Sequence, residues 1–176
     1  SGQYNGSNAM GGQFVSTGAT AIRTVIKDQG IQEVLAGGVA SKTIVESQSE
    51  LGSKGGQTIQ AEGIASATTL NSGYQNVYGK ANETYINGGL QNIASGGSAL
   101  LTAVMSNGHQ LVQQGGFAEQ TTVENTGSMT VSGMASATVV LAGGSMAIAN
   151  GGSAAQIVLS RGGNFILASG AYANNL

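Results

Sequence analysis

The groups in this chain most able to do chemistry are eight carboxylates, one imidazole and many hydroxyls. The acids are Asp28, Glu33, Glu46, Glu50, Glu62, Glu83, Glu119 and Glu124. Paired carboxylates can act as general acid and base on a polysaccharide, or hold calcium, but both uses need them clustered. Asp28 and Glu46 come nearest to equivalent positions. Lys27 and Lys42 stand beside them, so a surface ion-pair ladder is the expectation. A single Asp argues against calcium-binding repeats of the G-G-x-G-x-D kind. His109 is the only histidine and follows Gly108 at an expected turn; without cysteine or a neighbouring carboxylate column it reads as a solvated turn residue. Serines are plentiful, but no base partner is evident for a nucleophile. The expectation is a chain with no catalytic residues, no metal and no cofactor.

Composition narrows the class. Glycine is 30 of 176 residues, charged residues are 8%, and proline, cysteine and tryptophan are absent. Disordered chains combine high charge with few β-branched residues, whereas here Val, Ile and Thr recur at fixed intervals. Collagen needs glycine at every third position. The net charge of −2 provides no basic field for a nucleic acid. No apolar run approaches the roughly 18 residues of a membrane span. The absence of a signal-peptide pattern reads as a mature fragment, with Ser1-Gly2 as a cloning scar. Lack of cysteine is compatible with export in an unfolded state.

The elements that would position these groups follow a repeat. Alanine recurs at Ala21, Ala40, Ala65, Ala81, Ala99, Ala118, Ala135, Ala154 and Ala171. Five residues after each comes an aliphatic: Ile26, Val45, Leu70, Ile86, Val104, Val123, Val140, Leu159 and Leu176. Two residues before that column Thr dominates, from Thr24 to Thr138, followed by Ile157 and Asn174. A second aliphatic column runs from Val15 to Leu167. It is preceded by Gln13, Gln32, Thr58 (displaced from Gln57), Gln75, Gln91 and Gln110, then by Met129, Met146 and Phe165. T-x-V and Q-x-V are period-two patterns, each a short strand with two side chains on one face. Columns that return every 19 or so residues stack in parallel.

The expected fold is all-β: a single-stranded right-handed parallel β-helix of about nine rungs, three short faces per coil. Residues 1–12 form an N-terminal edge or capping segment and residues 13–176 the repeat. Alanine, Thr/Val and Gln/Val point inward, and glycines supply positive φ or close approach at the corners. Because Met and Phe replace Gln, that column is expected in a dry interior, its amides satisfying one another along the axis. Glu46 to Gly55 carries about six extra residues, read as a surface loop. Tyr74, Tyr78 and Tyr85 are expected to point outward on neighbouring coils, either packing across rungs or offering contacts to sugars or proteins.

The repeat G-x-A-x-x-T-x-V-x-x-x-G-x-Q-x-V-x-x-G-G, as in Ala99, Thr102, Val104, Gly108, Gln110, Val112 and Gly115-Gly116, resembles the 19-residue repeats of AIDA-type self-associating autotransporter adhesins, including the TibA-like ones. It covers residues 13–176 and departs from the pattern at the long interval and where Gln gives way to Met or Phe. The resemblance implies a passenger domain on a Gram-negative surface, exported through the periplasm and an outer-membrane barrel of the same precursor. It also implies autoaggregation, biofilm formation and host-cell adhesion, through contacts with itself and with host surfaces. It further implies covalent O-linked heptose, added by a heptosyltransferase. Candidate acceptors beside turn glycines are Ser16, Thr17, Ser72, Ser95, Ser106, Thr126, Ser132 and Ser169, though Ser and Thr also suit turns for their own sake. The competing readings are a polysaccharide-cleaving or glycan-binding β-helix, and an ice-binding one, which would need a flat outward Thr array.

Overall fold

The computed structural model describes residues 11–47 and 55–176. These form a right-handed parallel β-solenoid. Each Q-x-V segment, such as His109–Val112, adds one strand to a nine-stranded parallel sheet. The alanine and T-x-V segments build the eleven-stranded second sheet. In the first two rungs these segments are separate strands, Thr20–Ile22 with Val25–Lys27 and Val39–Ser41 with Ile44–Glu46. From Ile64–Leu70 onward they are mostly single seven-residue strands such as Ser98–Val104.

Those long strands are bent, and the sequence spacing explains why. Ala99 and Thr102 are three apart, so a flat strand would point them to opposite faces, yet both are buried. The residue between them and next to Thr102, Leu101, adopts φ 58°, which turns the chain and brings both side chains inward. The same conformation recurs at Arg23, Lys42, Ala67, Glu83, Gln120, Ala137, Gln156 and Asn175. Glycine was expected at the corners needing positive φ; this third corner uses none. The left-handed conformation costs a non-glycine residue on the order of 1 kcal/mol, and the rung-to-rung ladder holds each one in place.

Glycines, with a few polar residues such as Asp28, Glu62, Ser106 and Thr126, serve the other two corners. Gly18, Gly37, Gly96 and Gly115 take positive φ. The glycine that follows is needed for another reason: a Cβ on Gly97 would strike the Val77 carbonyl of the rung below.

Register corrects three details of the repeat. The final core alanine is Ala173, paired with Ala154, and not Ala171. Asn174 therefore aligns with Ala155, and Leu176 falls three past the alanine, in the Thr column. Gln57 stands in register with Gln32 and Gln75, so nothing is displaced there. The long interval has a definite origin. Ser47 Oγ donates to Asp28 O, Gly55 N donates to Ser47 Oγ at 2.7 Å, and Gly55 N also reaches Asp28 O at 2.9 Å. Glu46-Ser47-Gly55 thus makes the same corner as Asn71-Ser72-Gly73, and the excess is the seven residues 48–54. Those residues lie outside the described ones, as does most of the segment 1–12. Gly12 already pairs with Ile31 in the first sheet.

Inside the rod the Gln column forms an amide ladder. Gln32, Gln57, Gln75, Gln91 and Gln110 each donate Nε2 to Oε1 of the Gln one rung below, at 2.6, 2.6, 2.7, 2.8 and 2.8 Å. Thr43, Thr68, Thr84, Thr102 and Thr121 donate across the interior to the same carbonyl oxygens, at 3.0 to 3.4 Å. These amides and hydroxyls are buried. The ladder ends where Met129 replaces Gln, and there Thr138 Oγ1 is buried without a partner.

Candidate functional site

Among the described residues the carboxylates do not gather. Asp28 and Glu62 sit on corners, each at positive φ, and Glu83 occupies the bend column. Glu33 projects outward from the first sheet and accepts from Gln60 Nε2 at 2.6 Å. Glu46 and Lys27 stand in register on the second sheet, where Glu119 also lies. Glu124 follows the strand Phe117–Val123. Glu50 lies outside the described residues. Among the described residues, no three His, Cys, Asp or Glu side chains are placed to hold a metal ion. The threonines that an ice-binding array would need face inward.

His109 is placed differently from expectation. It opens the strand His109–Val112 and is half-buried, with Nδ1 2.6 Å from Ser128 Oγ on the next rung. Burial holds its pKa below 6.5, so the imidazole is neutral at pH 7. A serine therefore does have a base partner, one that lies 19 residues away in sequence and that only the register reveals. Geometry limits what the pair can do. Backbone N–H groups of His109 and Ser128 both donate within the ladder, to Gly89 O and Gly108 O at 3.0 Å each. Neither is free to stabilise an oxyanion.

The eight candidate hydroxyls fall on two edges of the rod. Ser16, Thr17, Ser95, Ser132 and Ser169 follow the first sheet; Ser72, Ser106 and Thr126 follow the second. Ser16, Thr17, Ser95, Ser106, Thr126 and Ser169 are exposed, whereas Ser72 and Ser132 are half-buried in shortened corners. Thr17 Oγ1 donates to Ala36 O at 2.7 Å, and Thr126 Oγ1 accepts from Asn107 N at 3.1 Å. Glycine of the next rung lies over several of these positions: Gly37 over Thr17, and Gly115 over Ser95.

The three tyrosines share one coil, residues 74–89, and not neighbouring ones. Tyr74 lies on the first sheet, its ring over Gly56, where a Cβ would come within 2.7 Å of Tyr74 Cγ. It fills the space that glycine leaves. Tyr78 is on the corner, 42% exposed, and Tyr85 on the second sheet, 49% exposed, between Thr69 and Ala103. They form no common patch.

The architecture is therefore a rod whose outer columns and corners repeat. It matches one described previously. A crystal structure of a TibA fragment, hyper-glycosylated by TibC, superimposes with a TM-score of 0.59 at 30% sequence identity, over 94% of this chain and 74% of the fragment. This chain belongs to the TibA-like autotransporter passengers. No protein-family model matches the sequence. A TibA-like passenger is an adhesin-type β-helix.

Proposed function

We propose that this passenger is displayed on the bacterial cell surface, or released after cleavage, and mediates autoaggregation, biofilm formation and host-cell adhesion. In this reading it is exported through the periplasm by a barrel belonging to the same precursor. A heptosyltransferase adds O-linked heptose to its corner hydroxyls, and the chain has no enzymatic role and no nucleic-acid partner. The observation that carries the reading is its likeness to a hyper-glycosylated TibA fragment, together with exposure of Ser16, Ser95, Ser106 and Ser169 along two edges. Residues 125–176 contain a single charged side chain, Arg161, so neighbouring rods meet little repulsion there. Weak contacts repeated at every rung combine through multivalency.

Two measurements test this. Co-expression with a heptosyltransferase should raise the intact mass in whole heptose increments, and peptide mapping should place them on the exposed corner hydroxyls. Mixed populations of cells with and without the passenger should sort, with clumps holding only passenger-bearing cells. Equal recruitment of both kinds would overturn the adhesive role.

A further inference from the structure

The edge that follows the first sheet is notched. Six residues separate the last aliphatic of that sheet from the core alanine in most rungs, as from Ile59 to Ala65 and from Ile93 to Ala99. Two rungs have four instead: Val77 to Ala81 and Val131 to Ala135. In full-length corners the positive-φ residue donates its N–H to the carbonyl of the equivalent residue one rung up. These bonds run Gly18 to Gly37, Gly37 to Glu62, Gly96 to Gly115 and Gly151 to Gly170, at 3.0, 3.1, 2.9 and 3.2 Å. The series breaks at each short rung, because the residue that would continue it does not exist. Among the described residues, Glu62 N–H and Gly96 C=O, on the two sides of Tyr78, are left without backbone partners. Gly115 N–H and Gly151 C=O are left likewise on the two sides of Ser132.

We propose that the Tyr78 notch binds the acetamido group of a neutral N-acetylated hexosamine. Rungs repeat about every 4.8 Å, so an N–H below and a C=O above, two rungs apart, leave room for one bridging amide. A trans acetamide presents its carbonyl and its N–H in opposite directions. Its carbonyl accepts from Glu62 N–H, and its N–H donates to Gly96 C=O. Tyr78, 42% exposed between them, supplies an aromatic surface for the C–H face of the pyranose. Exposed Glu62 and Ser95 flank the gap and can bond ring hydroxyls. Exposed Lys80, two residues past Tyr78, offsets the Glu62 carboxylate, so the notch offers no net charge and fits a neutral ligand. The Ser132 notch has the same unpaired backbone groups without a ring, which makes it a weaker copy and an internal control. This inference gives the adhesin reading a ligand chemistry and rests on it only for the biological source of the sugar.

Saturation-transfer NMR on the purified chain, with methyl N-acetylglucosaminide and methyl glucoside as probes, tests the proposal. Transfer to the acetyl methyl is expected for the first and no transfer for the second, with a Kd on the order of 1 mM for one small contact. Tyr78→Ala should weaken binding roughly threefold to tenfold, the range of an aromatic contact, and Tyr78→Phe should preserve it. Inserting Ser-Gly between Tyr78 and Gly79 restores the six-residue corner and should abolish binding, with an unchanged circular dichroism spectrum and Tm. Equal response to both sugars, response to neither, or binding that survives the insertion would each overturn the proposal. Soluble oligosaccharides ending in N-acetylglucosamine and soluble peptidoglycan fragments, each added in the same NMR experiment, separate host from envelope sources. Transfer to the acetyl methyls of either supports the notch and names the source, and transfer to neither overturns it. A rod that binds sugar while its cells fail to clump would leave the notch standing and remove the adhesin reading alone.

Discussion

The rungs from Gln13 to Gln110 and those from Met129 to Phe165 share one backbone, yet different forces hold their interiors together. In the first region every rung places a glutamine amide and, across from it, a threonine hydroxyl in a space that excludes water. Between the two ends of the ladder, each amide is both donor and acceptor along the axis. In the second region the same column holds Met129, Met146 and Phe165, with Ile157 in the threonine column. That interior is apolar and relies on area and packing. An amide ladder is directional and fixes register, because slipping one rung leaves an amide unpaired. A dry column tolerates volume-conserving exchange. The seam lies between Gln110 and Met129, and Thr138 Oγ1 is the polar atom stranded beside it.

Breaking the ladder should have the largest effect. Gln91→Met has nearly the right shape, but it orphans Gln110 Nε2 and Thr102 Oγ1 together and leaves Gln75 Oε1 with Thr84 Oγ1 alone. Chemical denaturation should show a loss of about 3 kcal/mol, since buried unpaired polar groups cost roughly 1–3 kcal/mol apiece and networks are not additive. Introducing amides into the dry region sharpens the contrast. Met146→Gln places an amide between Met129 and Phe165 and should cost about 2 kcal/mol. Met129→Gln extends the ladder by one step, to Gln110 below and Thr138 across, and should be close to neutral. If both substitutions cost the same in thermal melts, the two interiors are not distinct in the way described. A smaller gain is expected from Thr138→Val, which removes the stranded hydroxyl and should stabilise by about 1 kcal/mol. The same exchange at Thr121, whose hydroxyl donates to Gln110 Oε1 at 3.1 Å, should destabilise.

The smallest effect is pH-dependent and sits at the seam, where His109 spans to Ser128. Burial depresses the His109 pKa in the folded chain below its ordinary 6.5. Below pH 6.5 the unfolded chain therefore takes up a proton that the folded chain resists. Stability should fall as pH drops from 6.5 to the folded value and level off beneath it. Because the ring is only half-buried, the change is modest. His109→Asn should flatten that part of a Tm-against-pH curve while leaving the neutral-pH Tm nearly unchanged.

Much of the rod was legible because its columns are one-dimensional. Val104, Val112 and Gln110 recur at a near-constant spacing, and any chain that repeats T-x-V and Q-x-V every 19 or so residues must stack them in parallel to bury them. Methionine and phenylalanine in the Gln column already marked it as dry. The bend column was not legible. Arg23, Lys42, Leu101 and Gln120 have no side-chain property in common, and positive φ there comes from the ladder and not from residue type. The corner made by Ser47 and Gly55 was hidden by the seven residues between them, which set two neighbours in space far apart in sequence.

For the candidate site the division is similar. The sequence by itself determined which hydroxyls lie next to corner glycines, because a turn exposes what it carries. It also determined that charge is scarce in residues 125–176. Only the tertiary structure decided that the three tyrosines belong to one coil on different sides, and that His109 meets Ser128. It alone showed that a corner shortened by two residues leaves an N–H and a carbonyl facing each other across a gap. These are relations between rungs, set by register. A sequence lists residues along the chain, while this protein's surface is read across it.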